Sequence, residues 1–398
     1  SGALYGSEAS AGVINIITKK SEKKSMTVGV ATNSREMSNY YHFDSGKDGK
    51  LSAAFDANFT KVRYFKWDDA NMSKYFGPTQ NYSLDVDYEM DQNNSLNLYL
   101  NYENTNQQFK KFTSASGPFS YLGIYNVDRK SASLTYNGQN DNSNYMLSAT
   151  YGELKKDVTS AMSANSVGSS KFNFWNIEAR DTIKLDNNNR LTFGGEFRTD
   201  GRKDSSIDES SDQYSLFIHD ELKLGEKLLL IPAVRYDHHD SFGSETSPNI
   251  GATYSFTEGS RLKANYGEGY RAPSISELYG TYSNPNLRPE KSKGYELSYE
   301  QEFGDDTAIK LTYFKNKKTD AIAMDYSLAP NYQYMNIEKS SSEGVEFEIK
   351  HDLGNGFTVI GNYDYLDAMN DKTNTRLNYS ARNTYTAKLM WTEPVKQE

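Results

Sequence analysis

Hydrophobic and polar residues alternate along most of this chain. Over residues 81–90, Tyr82, Leu84, Val86, Tyr88 and Met90 occupy every second position, and Asn81, Ser83, Asp85, Asp87 and Glu89 fill the gaps. A polar stretch at 91–94 interrupts the pattern, which then resumes with Leu96, Leu98, Leu100 and Tyr102 against Asn97, Tyr99, Asn101 and Glu103. Tyr145, Leu147, Ala149 and Tyr151 form another such stripe, as do Tyr295, Leu297 and Tyr299 against Glu296, Ser298 and Glu300. Side chains on a strand point to opposite faces in turn, so each segment is a strand with one apolar and one polar side. The alternation predicts about 18 strands in hairpins, at 26–34, 38–46, 50–60, 79–90, 94–104, 127–137, 142–153, 172–185, 189–199, 210–224, 227–238, 246–256, 260–271, 292–303, 307–325, 333–352, 356–368 and 380–392.

The connections between these strands alternate too. One set is short (GKDGK, DQNN, GQND, DNNN, GE, TEGS, GDD and GNG), while the other includes long stretches at 61–78, 105–126, 154–171 and 272–291. Tight turns on one rim and long loops on the other are the pattern of a transmembrane β-barrel of the outer-membrane type, and most of the spans reach the roughly 9–11 residues needed to cross a bilayer. A large soluble β-sandwich would tolerate the same alternation. A propeller should repeat with blade signatures, and none is present.

Composition sharpens the choice. Only 36% of the residues are hydrophobic, yet 13% are aromatic, with 31 Tyr, 19 Phe and 3 Trp. A disordered chain would be poor in aromatics. Tyrosine-rich strands that are polar on one side fit a barrel with interfacial aromatic girdles and a wet interior. No run approaches the length of a transmembrane helix. The chain has no cysteine, which excludes disulfides, thiolate metal sites and cysteine nucleophiles. Its net charge of −9, spread along the chain, argues against nucleic acid as a partner. No nucleophile-elbow motif is present, and the acids are distributed along strand faces, so no enzyme activity is expected. Ser1 is neither an initiator Met nor the start of a signal peptide, which suggests a fragment.

Three stretches resemble one family. Residues 1–20 read SGALYGSEASAGVINIITKK; residues 265–296 contain Tyr270-Arg271-Ala272-Pro273, Glu277-Leu278-Tyr279, Asn284-Pro285-Asn286-Leu287 and Pro289-Glu290; residues 336–348 read NIEKSSSEGVEFE. These resemble, respectively, the end of the plug domain, an outer loop and a late barrel strand of the TonB-dependent outer-membrane receptors. The run at 235–256 also looks like a family hairpin. The resemblance implies an all-β fold, a transmembrane antiparallel β-barrel of roughly 22 strands when whole. About 18 of them are expected here, in residues 23–398, with the C-terminal remnant of a plug domain in residues 1–22.

The same resemblance implies location in the outer membrane of a diderm bacterium, among outer-membrane lipid. It implies import of a ferric siderophore by binding at outer loops and energy-coupled rearrangement of the plug. The TonB complex would act through an N-terminal segment absent from this chain, and colicins or phages are candidate further partners. Cobalamin or haem uptake is the alternative within the family; a passive porin or an adhesin barrel is the alternative outside it. Haem receptors of the family carry a histidine between the arginine motif and the Asn-Pro-Asn-Leu motif, and residues 274–283 have none. No cofactor and no resident metal are expected. His238 and His239 are neighbours on a strand and so point apart, which disfavours one shared ion.

Outer loops are where recognition residues are expected. Loop 61–78 carries Arg63, Tyr64 and Trp67; loop 105–126 carries Phe109, Lys110, Phe112 and Tyr121. Aromatic rings beside cations suit a flat anionic ligand such as a ferric catecholate, because rings stack and cations pair with the charge. Girdle and loop packing is the structural alternative for these side chains. Arg271, Asn284 and Asn286 complete the candidate set as residues that shape the outer vestibule.

Overall fold

The computed structural model describes residues 23–34, 36–62, 65–67, 72–113, 119–160, 166–328 and 331–393. The expected plug remnant, residues 1–22, lies outside the described residues. Those described divide into two compact units, one of residues 23–181 and 194–214, the other of residues 182–193 and 215–393.

The first unit is a meander of antiparallel ladders. β1 (Lys24–Thr32) pairs with β2 (Glu36–Asp48), and β2 with β3 (Leu51–Val62). A three-residue strand, β4 (Phe65–Trp67), folds onto the start of β5 (Met72–Glu89), which also takes β3 as neighbour. β6 (Asn94–Thr113), β7 (Phe119–Gln139) and β8 (Ser143–Ser160) continue the series. β9 (Ser166–Lys184), β10 (Asn189–Lys203) and β11 (Asp208–Leu224) follow in sequence, each divided between the two units.

The second unit repeats the arrangement with β12 (Leu228–His239), β13 (Gly243–Thr257), β14 (Ser260–Arg271), β15 (Glu290–Phe303), β16 (Thr307–Asp325), β17 (Gln333–Gly354) and β18 (Phe357–Asn370), each antiparallel to the next. The two-residue β19 (Thr375–Arg376) and β20 (Asn383–Trp391) both pair with β18. Setting aside β4 and β19, the described residues contain 18 long strands. The single α-helix among them, α1 (Ile275–Tyr279), has five residues, and a 3-10 turn spans Tyr326–Leu328.

The alternation predicts the faces. On β15, Tyr295, Leu297 and Tyr299 are 40–49% exposed while Ser298, between them, is 1% exposed. On β11, Tyr214, Leu216 and Ile218 stand exposed while Ser215 and Phe217 are buried. A face that exposes its large hydrophobic side chains and buries its serines is the reverse of a water-soluble sandwich, and it is what a lipid-facing wall requires.

The long connections depart from expectation. Residues 72–78 are strand, and the β6–β7 ladder runs on to Thr113 opposite Phe119. β8 likewise extends to Ser160, and β9 begins at Ser166. Three of the four expected loops are therefore mostly ladder, and those strands exceed the length that crosses a bilayer. The reason is physical. Alternation marks a strand only where one face meets an apolar medium, and hydrogen bonding between main chains needs no such contrast.

Candidate functional site: a loop clasp and an aromatic–cationic wall

The connection at 272–289 keeps its loop character, with Pro273, Pro285 and Pro289 blocking any ladder. β14 delivers Arg271 to its start and β15 delivers Glu290 to its end. Ser274 caps α1 in a reciprocal box: its Oγ accepts from Glu277 N at 3.3 Å, and its own N donates to Glu277 Oε2 at 2.7 Å. Arg271 then spans two acids. Its Nη1 and Nη2 donate to Glu277 at 3.0 and 3.2 Å, and Nη2 donates to Glu290 Oε1 at 2.8 Å. Glu290, only 3% exposed, also accepts from Ile322 N at 2.8 Å and forms an ion pair with Lys318.

Burial by itself would push the Glu290 carboxyl up. The hydrogen bonds from Arg271, Lys318 and Ile322 N outweigh it and hold the group at about 2. Glu277 shows the same contest: burial raises it, but Arg271 and the Ser274 backbone bring it below the ordinary carboxylate range. Arg271 is raised in return, first by Glu290, against burial, and then by Glu277.

The Asn-Pro-Asn-Leu run is a second fastening. Asn284 Oδ1 accepts from Asn286 N at 3.0 Å, its Nδ2 donates to Tyr334 O at 3.0 Å, and its own N donates to Glu277 O at 2.8 Å. Asn336 completes the join, with Oδ1 accepting from Arg288 N at 2.9 Å and Nδ2 donating to Arg288 O at 2.8 Å and Asp320 O at 2.7 Å. Leu278 and Leu287 are buried beneath. Arg271 and Asn284 thus hold the loop's shape through the partners named, while the Asn286 side chain is exposed on its surface.

Arg63 and Tyr64 lie outside the described residues. Trp67 is placed by its backbone on β4, Phe109, Lys110 and Phe112 on β6, and Tyr121 on β7; their side chains lie outside the described part. Lys110 is directly opposite Leu122, and Phe112 opposite Ser120, in the β6–β7 ladder. These candidates therefore ride on strand extensions instead of free loops.

The structure also assembles a group that the candidate set omits. Three cations lie over three rings on the first unit: Lys156 Nζ is 4.5 Å from the centroid of Tyr125, the Arg198 guanidinium 5.1 Å from Phe174, and the Arg202 guanidinium 5.2 Å from Phe172. Each arginine is also gripped by the aspartate two residues on. Arg198 donates to Asp200 at 2.8 and 2.9 Å, and Arg202 to Asp204 at 3.1 and 2.8 Å. Phe174 lies flat across Gly152, where a Cβ would come within 2.1 Å of the ring. The sequence carries the signal at period two: Phe172-x-Phe174 on β9, and Arg198-x-Asp200-x-Arg202 on β10, with Asp204 just past its end. Residues two apart share a face, so each strand presents its group to one side.

The two neighbouring histidines diverge. His238 Nδ1 is 3.0 Å from Ser244 Oγ, whereas His239, 8% exposed, stacks on Phe242 at 4.1 Å and accepts from Ser241 N at 3.1 Å. Among the described residues, no group of three or more His, Asp or Glu side chains is placed to hold a metal ion.

Antiparallel strands of bilayer-crossing length, apolar on the exposed face and polar on the other, define the class: a transmembrane β-barrel of the outer membrane. The chain belongs to the TonB-dependent receptor family, whose model, described as "TonB dependent receptor-like, beta-barrel", matches residues 25–396. Solved structures agree on the fold. The siderophore receptor PirA from Pseudomonas aeruginosa is 20% identical, with a TM-score of 0.80 over 98% of this chain and 73% of that one. The ferric enterobactin receptor PfeA from the same organism, in complex with BCV-L6, is 20% identical, with a TM-score of 0.83 over 98% and 69%. PirA from Acinetobacter baumannii is 19% identical, with a TM-score of 0.82 over 99% and 69%. The family is one of outer-membrane receptors and transporters, so the apolar strand faces meet lipid and the polar faces line the lumen.

Proposed function

We propose that this receptor imports a ferric siderophore, an anionic aromatic chelate of the ferric-catecholate type. The observation that carries the reading is the set of cation–ring pairs at Tyr125–Lys156, Phe174–Arg198 and Phe172–Arg202. Rings offer stacking surfaces to catechol groups, and cations balance the charge of the complex. Arg63, Tyr64, Trp67, Phe109, Lys110, Phe112 and Tyr121 offer the same chemistry and would be further contacts for the cargo. Arg271 and Asn284 would hold the outer loop at 272–289 in its fixed form, with the Asn286 side chain exposed on its surface for contact. No covalent change in the cargo is required. Binding at the outer surface is followed by release inward when the TonB complex rearranges a plug. The siderophore and enterobactin receptors of similar fold support this cargo class by analogy.

The test is titration of the folded protein in detergent with ferric catecholates, ferric hydroxamates, haem and cobalamin, followed by intrinsic Trp and Tyr fluorescence. Saturable quenching by a ferric catecholate alone is the expected result. The paired change Arg198→Ala with Arg202→Ala should weaken that binding about tenfold, in line with the loss of one or two partly desolvated cation–ring contacts. Tight binding of cobalamin or haem instead would overturn the cargo assignment while leaving the family intact.

A further inference from the structure

The lipid-facing stripes of β14–β17 end at one level, and they end in charge. Tyr266 is directly opposite Tyr295, with ring centroids 4.9 Å apart, and Tyr313 is directly opposite Val345. The next positions on that face, toward the 272–289 loop, are Glu268 opposite Lys293 and Lys315 opposite Glu343. Each acid is held from two sides. Glu268 accepts from the Tyr266 hydroxyl and from Lys293 Nζ, the latter at 2.8 Å. Glu343 accepts from the Tyr313 hydroxyl at 2.8 Å and from Lys315 Nζ at 2.6 Å. Lys317 follows Lys315 on the same face and is directly opposite Lys293. It is exposed and has no acidic partner among the described residues. Like charges directly opposite on paired strands are destabilising, so this juxtaposition calls for an anion.

The first unit carries the same device. The Tyr151 ring packs 4.7 Å from that of Trp175, which is exposed on the lipid-facing stripe of β9. The Tyr151 hydroxyl donates to Glu153 at 2.6 Å, and Glu153 pairs with Lys171 at 2.7 Å and Lys130 at 4.0 Å. Again the cations outnumber the acid. A tyrosine at the end of an apolar stripe is a boundary residue, with its ring among acyl chains and its hydroxyl toward water. A lysine beside it lays its stem on apolar surface and carries its ammonium at the level of the lipid headgroups.

We propose that the Lys293–Lys315–Lys317 cluster and the Lys130–Lys171 cluster each bind the phosphate of an anionic lipid in the outer leaflet. The partner must present acyl chain and anionic oxygen together, because the lysines continue stripes that already meet lipid. A free anion would use the ammonium groups alone. The acids position the lysines without using them up: an ammonium has three donors, and Lys293, Lys315 and Lys171 each give one to a carboxylate. The remaining donors suit phosphate oxygens, and a phosphate between Lys293 and Lys317 removes their repulsion.

The experiment titrates the complete receptor, in non-ionic detergent, with a bis-phosphorylated lipid A and with the same lipid stripped of both phosphates. Bound lipids are counted by native mass spectrometry. The phosphorylated lipid is expected to bind about tenfold more tightly or better. Lys293→Gln with Lys317→Gln should weaken one bound lipid about tenfold, and Lys130→Gln with Lys171→Gln another, since each lysine near a membrane surface contributes several-fold. Lys293→Arg with Lys317→Arg should retain the lipid. Lys263 is directly opposite the buried Ser298, and Lys310 lies two residues from the buried Thr312, so both face the lumen. Lys263→Gln with Lys310→Gln removes the same charge there and should leave lipid binding unchanged. Unchanged affinity in a glutamine pair overturns the proposal for that cluster. An equal loss in the lumenal pair overturns it for both, by showing that net charge alone acts. Equal binding of the dephosphorylated lipid overturns it by reducing the contact to acyl chains. Displacement of the lipid by inorganic phosphate at equal concentration also overturns it, by making the clusters sites for a free anion.

Discussion

Glu290 shows how one side chain can fix a loop. It is a carboxylate with almost no exposure, and it stays charged because Arg271, Lys318 and the Ile322 amide all bind it. A group whose pKa is depressed on folding adds stability above its unfolded value and loses it as pH falls toward its folded value. The contribution of Glu290 should therefore be intact above pH 4.5 and fade as pH drops toward about 2. Melting of the detergent-solubilised protein followed across that window should fall in the native protein and fall less steeply in Glu290→Gln. Removing the cation instead, by Arg271→Ala, should lower stability by about 1–3 kcal/mol, because a buried acceptor loses a charged donor. Gly344 is another position where one group decides. A Cβ there would lie 2.3 Å from Tyr365 O and 2.6 Å from the Phe314 ring, whereas at Gly251 the nearest atom is 3.6 Å away. Gly344→Ala should cost about 1–3 kcal/mol and Gly251→Ala little, as compared by denaturant unfolding in micelles.

At the scale of elements, the short turns share one device. Asp91, Asn140, Asp186 and Asp352 each accept a hydrogen bond from the backbone N–H two residues on, at 2.8, 3.0, 2.6 and 2.8 Å. These Asx turns reverse the chain within a few residues and fix the register of the strands they join. That matters because a slip of one residue would turn every apolar side chain toward the lumen. Asp186→Ala should slow refolding into lipid vesicles and lower stability by about 1 kcal/mol, the net value of one hydrogen bond, without altering ligand affinity. These turns are legible in the sequence as DQNN, NDNS, DNNN and DLGN. The clasp at 272–289 is legible only in part. Its prolines and capping residues mark a loop and a short helix, but nothing local says that Glu290 will meet Lys318 and Ile322, or that Asn284 will meet Tyr334. Those partners lie tens of residues away and come together only through strand pairing.

Across the whole molecule, the medium dictates the pattern. Leu216 is 67% exposed between two buried neighbours, Ser215 and Phe217. In a soluble domain that exposure would be a liability, whereas in a barrel it is contact with lipid. Leu216→Arg should therefore destabilise the folded protein in bilayers by about 2–4 kcal/mol if the site lies near the midplane, and by much less in urea-rich water where the strand is unfolded. The lumenal wall follows other rules. It tolerates charge, amide and glycine in turn, and the paired arginines at 198 and 202 lie on polar strand faces.

The sequence by itself determined that the chain is an antiparallel, one-side-apolar β structure, where most strands begin and end, which family it resembles, and which residue types sit at the outer connections. Those features are local: a period of two, turn residues at fixed offsets, and short motifs. Only the tertiary structure decided that three long connections are mostly strand, that Arg271 joins two acids, and that Arg198 and Arg202 lie over Phe174 and Phe172. Each of these depends on which strands stand side by side and in what register. Register is set by hydrogen bonding and burial summed along whole ladders, which no single stretch of sequence contains.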